Sequence, residues 1–84
     1  MLNKIVESII ENYGEITVIK IDGFDDAVIG YDETSMRLIY SVSKCIEILI
    51  NEGLSFTDAY DHFYYNVKGS YLGDKTPIWC IDNF

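Results

Sequence analysis

Acidic side chains crowd two short turns of this sequence. Asp22, Asp25 and Asp26 lie in the first turn, and Asp32 and Glu33 lie in the next. Clustered carboxylate oxygens are the ligands that calcium and magnesium take in proteins, but this spacing does not match the D-x-[DN]-x-[DN]-G loop and no later Glu completes it. The pattern therefore predicts solvated or capping turns in which one aspartate accepts backbone N–H bonds, with a cation site as the alternative.

His62 is the single histidine of the chain, and Asp58 precedes it by one helical turn. The two side chains could ligate a metal together, but two ligands do not make a site, so we interpret them as a surface ion pair. Cys45 falls on an apolar helical stripe, where a thiol is inert. Cys80 is exposed if Trp79 points inward, but the sequence does not indicate a histidine beside it that would activate its thiol.

The remaining signs of an enzyme are also missing. Gly69 and Gly73 lack the Lys-[ST] ending of a phosphate-binding loop. Cys45 and Cys80 have neither the C-x-x-C spacing of a zinc site nor the density of a disulfide scaffold, so we expect both to be reduced and buried, with one disulfide as the alternative. The sequence predicts no catalytic residue, no metal and no cofactor, and it favours a non-enzymatic role.

The composition sets further limits. Eighty-four residues, 49 % of them hydrophobic and 24 % charged, are expected to form one folded domain over 1–84. Six basic residues against fourteen acidic ones give a net charge of −8, which argues against direct nucleic-acid binding. No apolar stretch is long enough for a membrane span, and the acids near the N-terminus do not suit a secretory signal, so an intracellular location is expected.

Helical spacing of apolar residues predicts three helices, over 2–13, 42–50 and 56–67. Ser41 or Ser43 can cap the second helix, and Ser55 can cap the third in a motif close to a capping box. The last two helices resemble a helix-turn-helix superficially, but the second of them carries Asp58 and Asp61 where a DNA reader needs basic side chains.

Three β-branched or alternating runs predict short strands over 15–21, 27–31 and 37–40. Pro77 introduces a last apolar segment, 78–81, which is an edge strand or a tail packed over the core. The predicted fold is α+β: a small antiparallel sheet, made of a three-stranded meander and a C-terminal edge strand, covered on one face by three helices.

Aromatic side chains are numerous for so small a domain. Helical spacing predicts core positions for Phe56, Tyr60, Phe63 and Tyr64. A surplus then remains, made up of Tyr65, Tyr71, Trp79 and Phe84. Tyr and Trp near a surface are the anchors that protein interfaces prefer, and the alternative is that these rings only cover the sheet. The acidic charge can keep the domain soluble, or it can imitate a row of phosphates.

Several segments carry a resemblance to a known group of proteins. They are 23–30, 39–41 with 44–49, and 63–67 with Gly69, Tyr71, Gly73, Thr76 and Pro77. Over 22–81 the chain resembles small hypothetical proteins encoded by tailed bacteriophages and prophages, a group without an established activity. The resemblance implies a virus-encoded accessory protein that acts on a host factor in the bacterial cytoplasm. It also points to Phe24-Asp25-Asp26 and to 66–77 as places to probe.

These observations predict an acidic interaction module that binds and modulates a host protein, with nucleic-acid mimicry as one route. Its candidate site residues are Phe24, Asp25, Asp26, Tyr65, Asn66, Tyr71, Thr76 and Trp79. The alternative is a small enzyme or a metal- or ligand-binding protein in which Asp25, Asp26, Asn66 and Thr76 form one polar cluster. Otherwise, Asn66 and the residues up to Pro77 shape a tight connection back to the sheet. A third option is a structural virion component that self-associates through the edge at 78–81.

Overall fold

The computed structural model describes residues 4–13, 21–69, 73 and 76–82. Its elements are helix α1 (Lys4–Tyr13), a 3₁₀ turn (Asp25–Ala27), strands β1 (Val28–Asp32) and β2 (Arg37–Ser41), helices α2 (Val42–Asn51) and α3 (Phe56–His62), a π-helical segment (Phe63–Val67) and strand β3 (Ile78–Cys80). This order confirms the α+β class. The strand predicted over 15–21 falls outside the described residues except for Ile21, which is not in a strand, and Tyr71 and Phe84 also fall outside them.

β1 and β2 form an antiparallel hairpin. Val28 pairs with Tyr40 and Asp32 with Arg37, and the register shifts by one residue between Val28 and Gly30. The Asp32 carboxylate closes the turn, since its oxygens accept hydrogen bonds from the Thr34 amide (3.2 Å) and the Ser35 hydroxyl (2.7 Å). The sequence predicted such an aspartate for the turn that contains Asp22, Asp25 and Asp26. The structure shows one in the following turn, at Asp32.

The expectation of a purely antiparallel sheet is wrong. Within the described residues the sheet has the order β1-β2-β3, and β3 runs parallel to β2, with Ile39 opposite Ile78 and Ser41 opposite Cys80. The chain leaves β2 directly into α2 and returns through α3, and such a helical crossover brings the next strand back in the same direction. Within the described sheet β3 lies at an edge, which is one of the two alternatives predicted for 78–81.

The core lies where α1, α2 and the π-helical segment meet the sheet. Its fully buried members include Val6, Val28, Leu38, Tyr40, Cys45, Ala59 and Phe63. The Tyr40 hydroxyl accepts a hydrogen bond from the Ile21 amide (2.9 Å), which ties the chain before the 3₁₀ turn to this core. That three helices together cover one face of the sheet stays a prediction.

Serine caps start both helices of the crossover. The Ser41 hydroxyl accepts from the Lys44 amide (3.1 Å), and the Ser55 hydroxyl accepts from the Asp58 amide (3.2 Å). Of the two serines proposed for α2, Ser41 is therefore the cap, and it is fully buried. Each such cap satisfies an amide that the helix itself leaves unpaired. None of the helices in the described part of the chain is long and apolar enough to cross a membrane.

Candidate interaction surface

Two stripes of side chains run along α3 and the π-helical segment. One stripe, Ala59, Phe63 and Val67, is buried in the core. We call the other, Phe56, Tyr60 and Tyr64, the aromatic stripe. Both stripes have the same four-residue spacing, so each of them could occupy the core side of a helix. Tertiary packing buries the stripe that contains alanine and leaves the all-aromatic stripe at the surface.

The aromatic stripe is a row of neighbouring rings that are tilted relative to each other. The ring centroids of Phe56 and Tyr60 are 6.2 Å apart, and those of Tyr60 and Tyr64 are 4.6 Å apart. Phe56 is 64 % exposed and Tyr60 is 45 % exposed, whereas Tyr64 is half-buried against Phe63. The prediction that all of these rings are core is therefore wrong for Phe56 and Tyr60. Tilted aromatic rings at such separations attract each other weakly.

The aromatic stripe forms one wall of a groove against α2, which we call the aromatic groove. Its volume is about 330 Å³. Its remaining lining comes from α2: Val42, Ser43, Ile46, Glu47 and Ile50. α2 and α3 are held as a hairpin by the turn at Gly53, where φ is +111° and the Leu54 amide donates to the Leu49 carbonyl (3.3 Å). A positive φ suits glycine, and it lets the two helices lie side by side.

Charged groups lie around the aromatic groove. Glu47 lines it, and the Lys68 ammonium lies 5.6 Å from the centroid of the Tyr64 ring. Burial raises the pKa of Tyr64, and the neighbouring Tyr60 hydroxyl adds to that rise. The Tyr64 ring therefore stays neutral at physiological pH, and its π face is able to accept the Lys68 cation.

Asp82, which follows β3, docks on the start of α2. Its carboxylate accepts hydrogen bonds from the hydroxyls of Ser41 (2.6 Å) and Ser43 (2.9 Å) and from the Ser43 amide (3.4 Å). The Ser41 hydroxyl bond is the largest cause that lowers the pKa of Asp82. A negative charge also suits the N-terminus of a helix. This contact fixes the Ser43 end of the aromatic groove and ties the C-terminal segment to it.

The residues that the sequence singled out are distributed over the molecule. Phe24 is buried in the core and Trp79 is half-buried, with its ring 5.3 Å from both Tyr40 and Phe63, so neither is a free interface anchor. Tyr65 is 81 % exposed, but it does not line the aromatic groove. The Asn66 amide nitrogen lies 3.5 Å from Nδ1 of His62.

The proposed polar cluster is divided by the sheet. Asp25 and Asp26 precede Val28, which pairs with Tyr40, so the acidic turn lies beyond that end of β2. Thr76 lies at the opposite end, because its carbonyl accepts from the Arg37 side chain. The Thr76 hydroxyl donates to the Gly73 carbonyl (2.7 Å). The tight connection that was the other interpretation of 66–77 stays a prediction.

The described side chains include no group of three His, Cys, Asp or Glu placed to hold a metal ion. Asp26 instead borders a polar cleft of about 280 Å³ with Lys44 and Glu47. Both cysteines are free: Cys45 is buried, as predicted, and Cys80 is half-buried. Burial raises the pKa of Cys45 to about 12, so its thiol is inert at neutral pH.

A second groove, of about 410 Å³, lies between α1 and β1. Its described lining is Lys4, Ile5, Ser8, Ile9, Asn12, Gly30 and Tyr31. Residues 14–20, which follow α1 in the chain, are outside the described residues. The aromatic groove is lined by described residues on both of its sides, and it is the candidate binding surface.

Comparisons with protein-family models, with curated proteins and with solved structures found no match to this chain. The function is therefore inferred from the arrangement of the described residues. Sequence reasoning missed Phe56, Tyr60 and Ile50 as surface residues. No local signal separated the two stripes, because they are neighbours on one helical face with i, i+3 and i+4 spacing, and such a face usually packs on the core as a whole.

Proposed function

We propose that this protein is a small acidic interaction module that binds another protein through the aromatic groove and thereby modulates it. One observation carries the proposal: Phe56 and Tyr60 stay exposed while the parallel stripe of Ala59, Phe63 and Val67 is buried. A domain of this size has little apolar surface to spare, since burial of such side chains is the main source of its stability. Neighbouring rings left exposed on one helix face support a role in binding a partner.

The physical chemistry of interfaces supports this role. Tyrosine and other large aromatic side chains supply most of the binding energy where they lie at the centre of a contact. The aromatic groove offers three such rings beside Ile46 and Ile50, with Glu47 as a polar group among them. This combination of an apolar centre and a charged edge is the usual anatomy of a protein interface.

The biological setting of the proposal comes from the resemblance to phage-encoded accessory proteins. In that setting the partner is a host protein of the bacterial cytoplasm. A net charge of −8 favours a basic partner surface, and this is the basis on which nucleic-acid mimicry remains one form of the proposal. The alternative of an enzyme or a metal-binding protein needs the acidic turn and Thr76 in one site. These two lie at opposite ends of β2, which argues against it.

Affinity capture with matched variants tests the proposal. The tagged protein, a Phe56→Ser/Tyr60→Ser double variant and Tyr65→Ser are each used to capture proteins from a bacterial lysate at moderate salt. Tyr65 is an exposed ring on the same helical segment but outside the aromatic groove, which makes it the control. We expect the native protein and Tyr65→Ser to recover the same stoichiometric partner, and the double variant to lose it.

Two results would contradict the proposal. Recovery of the same partner by the double variant would show that the aromatic groove is not the binding surface. Recovery of the bait alone by all three proteins would count against an interaction in that host. We expect each variant to fold, because the substituted rings are exposed and contribute little to the core. Circular dichroism of each variant checks this.

A further inference from the structure

We propose that the partner of the aromatic groove is a basic amphipathic α-helix of about three turns, presented by another protein. The inference deepens the proposed function and rests on it. It identifies the shape and the charge of the occupant from the groove itself.

The shape follows from the two helices that make the groove. α2 has 10 residues, so it is about 15 Å long. α3 returns beside it, and the open channel between two such helices is the place where a third helix packs, with its own side chains filling the gaps. A helix lying along this length would place apolar side chains in the groove at positions i, i+3 or i+4, and i+7.

The volume of the groove sets the number of anchors. About 330 Å³ accommodates two or three aliphatic or aromatic side chains. Ile46 is buried at the floor and Ile50 is 38 % exposed, while the aromatic stripe supplies the opposite wall. An anchor placed between Ile50 and Tyr60 would be in contact with apolar groups on both sides.

The charge of the occupant follows from two carboxylates at the groove. One belongs to Asp82, which accepts a hydrogen bond from the hydroxyl of Ser43, a residue of the groove lining. The other belongs to Glu47, which lines the groove, so a lysine or arginine on the partner helix would face it directly. The position of Lys68 over Tyr64 shows that the aromatic stripe also accepts a cation at a ring face.

The same charge argues against a second copy of this chain as the occupant. Two copies would each bring a charge of −8 to the contact, and this repulsion opposes association. Nucleic acid is disfavoured for the same reason. A basic helix gains from the field of the whole molecule, which accelerates its encounter as well as stabilising the complex.

The test uses a designed peptide of about 16 residues as the probe. Leucines at i, i+3 or i+4, and i+7 form its apolar face, and lysines and arginines flank that face. Two control peptides keep the helical propensity: one carries glutamates in place of the basic residues, and the other has the basic peptide's composition with the apolar face scrambled. Binding is followed by fluorescence anisotropy at low and at physiological salt, and amide shifts in NMR spectra locate the site.

We expect the basic amphipathic peptide to bind and to perturb amides of α2 and α3. Phe56→Ala/Tyr60→Ala should weaken binding by at least about tenfold, since central aromatic anchors usually cost that much. Glu47→Lys should weaken it by a smaller factor, and Tyr65→Ala should leave it unchanged. Affinity should fall as salt is raised, because the attraction between the charges is screened.

Several outcomes would overturn the inference. Equal binding of the acidic peptide would remove the charge argument, and equal binding of the scrambled peptide would show only non-specific attraction. No binding of the basic peptide, together with a captured partner that depends on Phe56 and Tyr60, would show that the groove has another occupant while the proposed function stands. Self-association that Phe56→Ala/Tyr60→Ala abolishes would identify a second copy instead.

Discussion

At the scale of single residues, Asp82 shows how one exposed carboxylate connects distant parts of the chain. It accepts hydrogen bonds from Ser41 and Ser43, which lie about half the chain away in sequence. Ser41 is at once the last residue of β2, the cap of α2 and a donor to Asp82. The C-terminal segment, the sheet and the first helix of the hairpin therefore meet at one buried hydroxyl.

Replacing Asp82 tests this contact. Asp82→Ala should lower the free energy of unfolding by about 1 kcal/mol, a value typical of a lost cap or charged hydrogen bond at a helix start. Chemical denaturation at neutral pH measures it. Asp61→Asn, which removes an equal charge from an exposed position on α3, is the control and should have almost no effect. Equal losses in both variants would show a general charge effect instead of a specific contact.

The pKa of Asp82 gives this contact a pH dependence with a defined sign. Its folded pKa is lowered from the ordinary value of 3.8, mainly by the Ser41 hydroxyl, so the contribution is fully present above pH 3.8. As the pH falls through the lowered folded value, the carboxylate is protonated and the contribution is lost. The stability difference between the native protein and Asp82→Ala should therefore shrink in acid.

Cys45 allows a second prediction at this scale. Burial raises its pKa to about 12, and Cys80 is half-buried at the sheet edge. Iodoacetamide at mildly basic pH should therefore alkylate Cys45 at least about a hundredfold more slowly than Cys80, because the thiolate is the reactive form. Mass spectrometry of peptides gives both rates. In denaturant the two rates should become equal, and equal rates in the folded protein would contradict the burial of Cys45.

At the scale of elements, the turn between α2 and α3 decides the geometry of the aromatic groove. Gly53 has φ +111° and no atom within 4 Å of the place where a Cβ would lie. Any cost of a side chain there is therefore backbone strain and not a clash. The α2–α3 hairpin, and with it the aromatic groove, depends on this one conformation.

Gly53→Ala should destabilise the protein by about 1 kcal/mol, because an L-residue resists positive φ. The matched control is Gly30→Ala in β1, where the new Cβ would lie 3.7 Å from a methyl carbon of Ile39, an ordinary contact without positive φ. We expect the control to be neutral or slightly stabilising. Urea denaturation compares the two, and a Gly53→Ala variant as stable as the native protein would contradict the strain argument.

At the scale of the whole molecule, the main feature is the net charge of −8. Twelve of the fourteen acidic side chains belong to described residues, and they are distributed over α1, the end of β1, the turns, the α2–α3 hairpin and the segment after β3. Like charges confined to one small fold repel each other, and this repulsion opposes the compact state. In the proposed complex, the same charge attracts the basic partner.

Salt should therefore stabilise the free protein. Raising sodium chloride from about 10 mM to about 200 mM shortens the screening length from about 30 Å to below 10 Å, and it should raise the melting temperature by about 2–4 °C. A thermal melt followed by circular dichroism measures the shift. Potassium chloride at equal ionic strength is the control and should act equally. A melting temperature that falls with salt would show that attractive charge pairs outweigh the repulsion.

The sequence by itself determined the elements whose signals are local. Apolar spacing and a serine cap placed α2 within one residue of its bounds, and they placed α3 and the π-helical segment as one helix over 56–67. β-branched runs placed β1 and β2, and the apolar stripe of α2 placed Cys45 in the core. These features depend on residues within one or two turns of each other, where spacing and capping chemistry act directly.

Only the tertiary structure decided the features that join distant residues. The parallel direction of β3, the separation of Thr76 from the acidic turn and the docking of Asp82 on Ser41 all depend on contacts between residues roughly 40 positions apart. The choice between two equally spaced stripes on α3 is of the same kind. Periodicity shows that a face is apolar, but the packing of the whole chain selects which apolar face is buried, and that selection left Phe56 and Tyr60 at the surface.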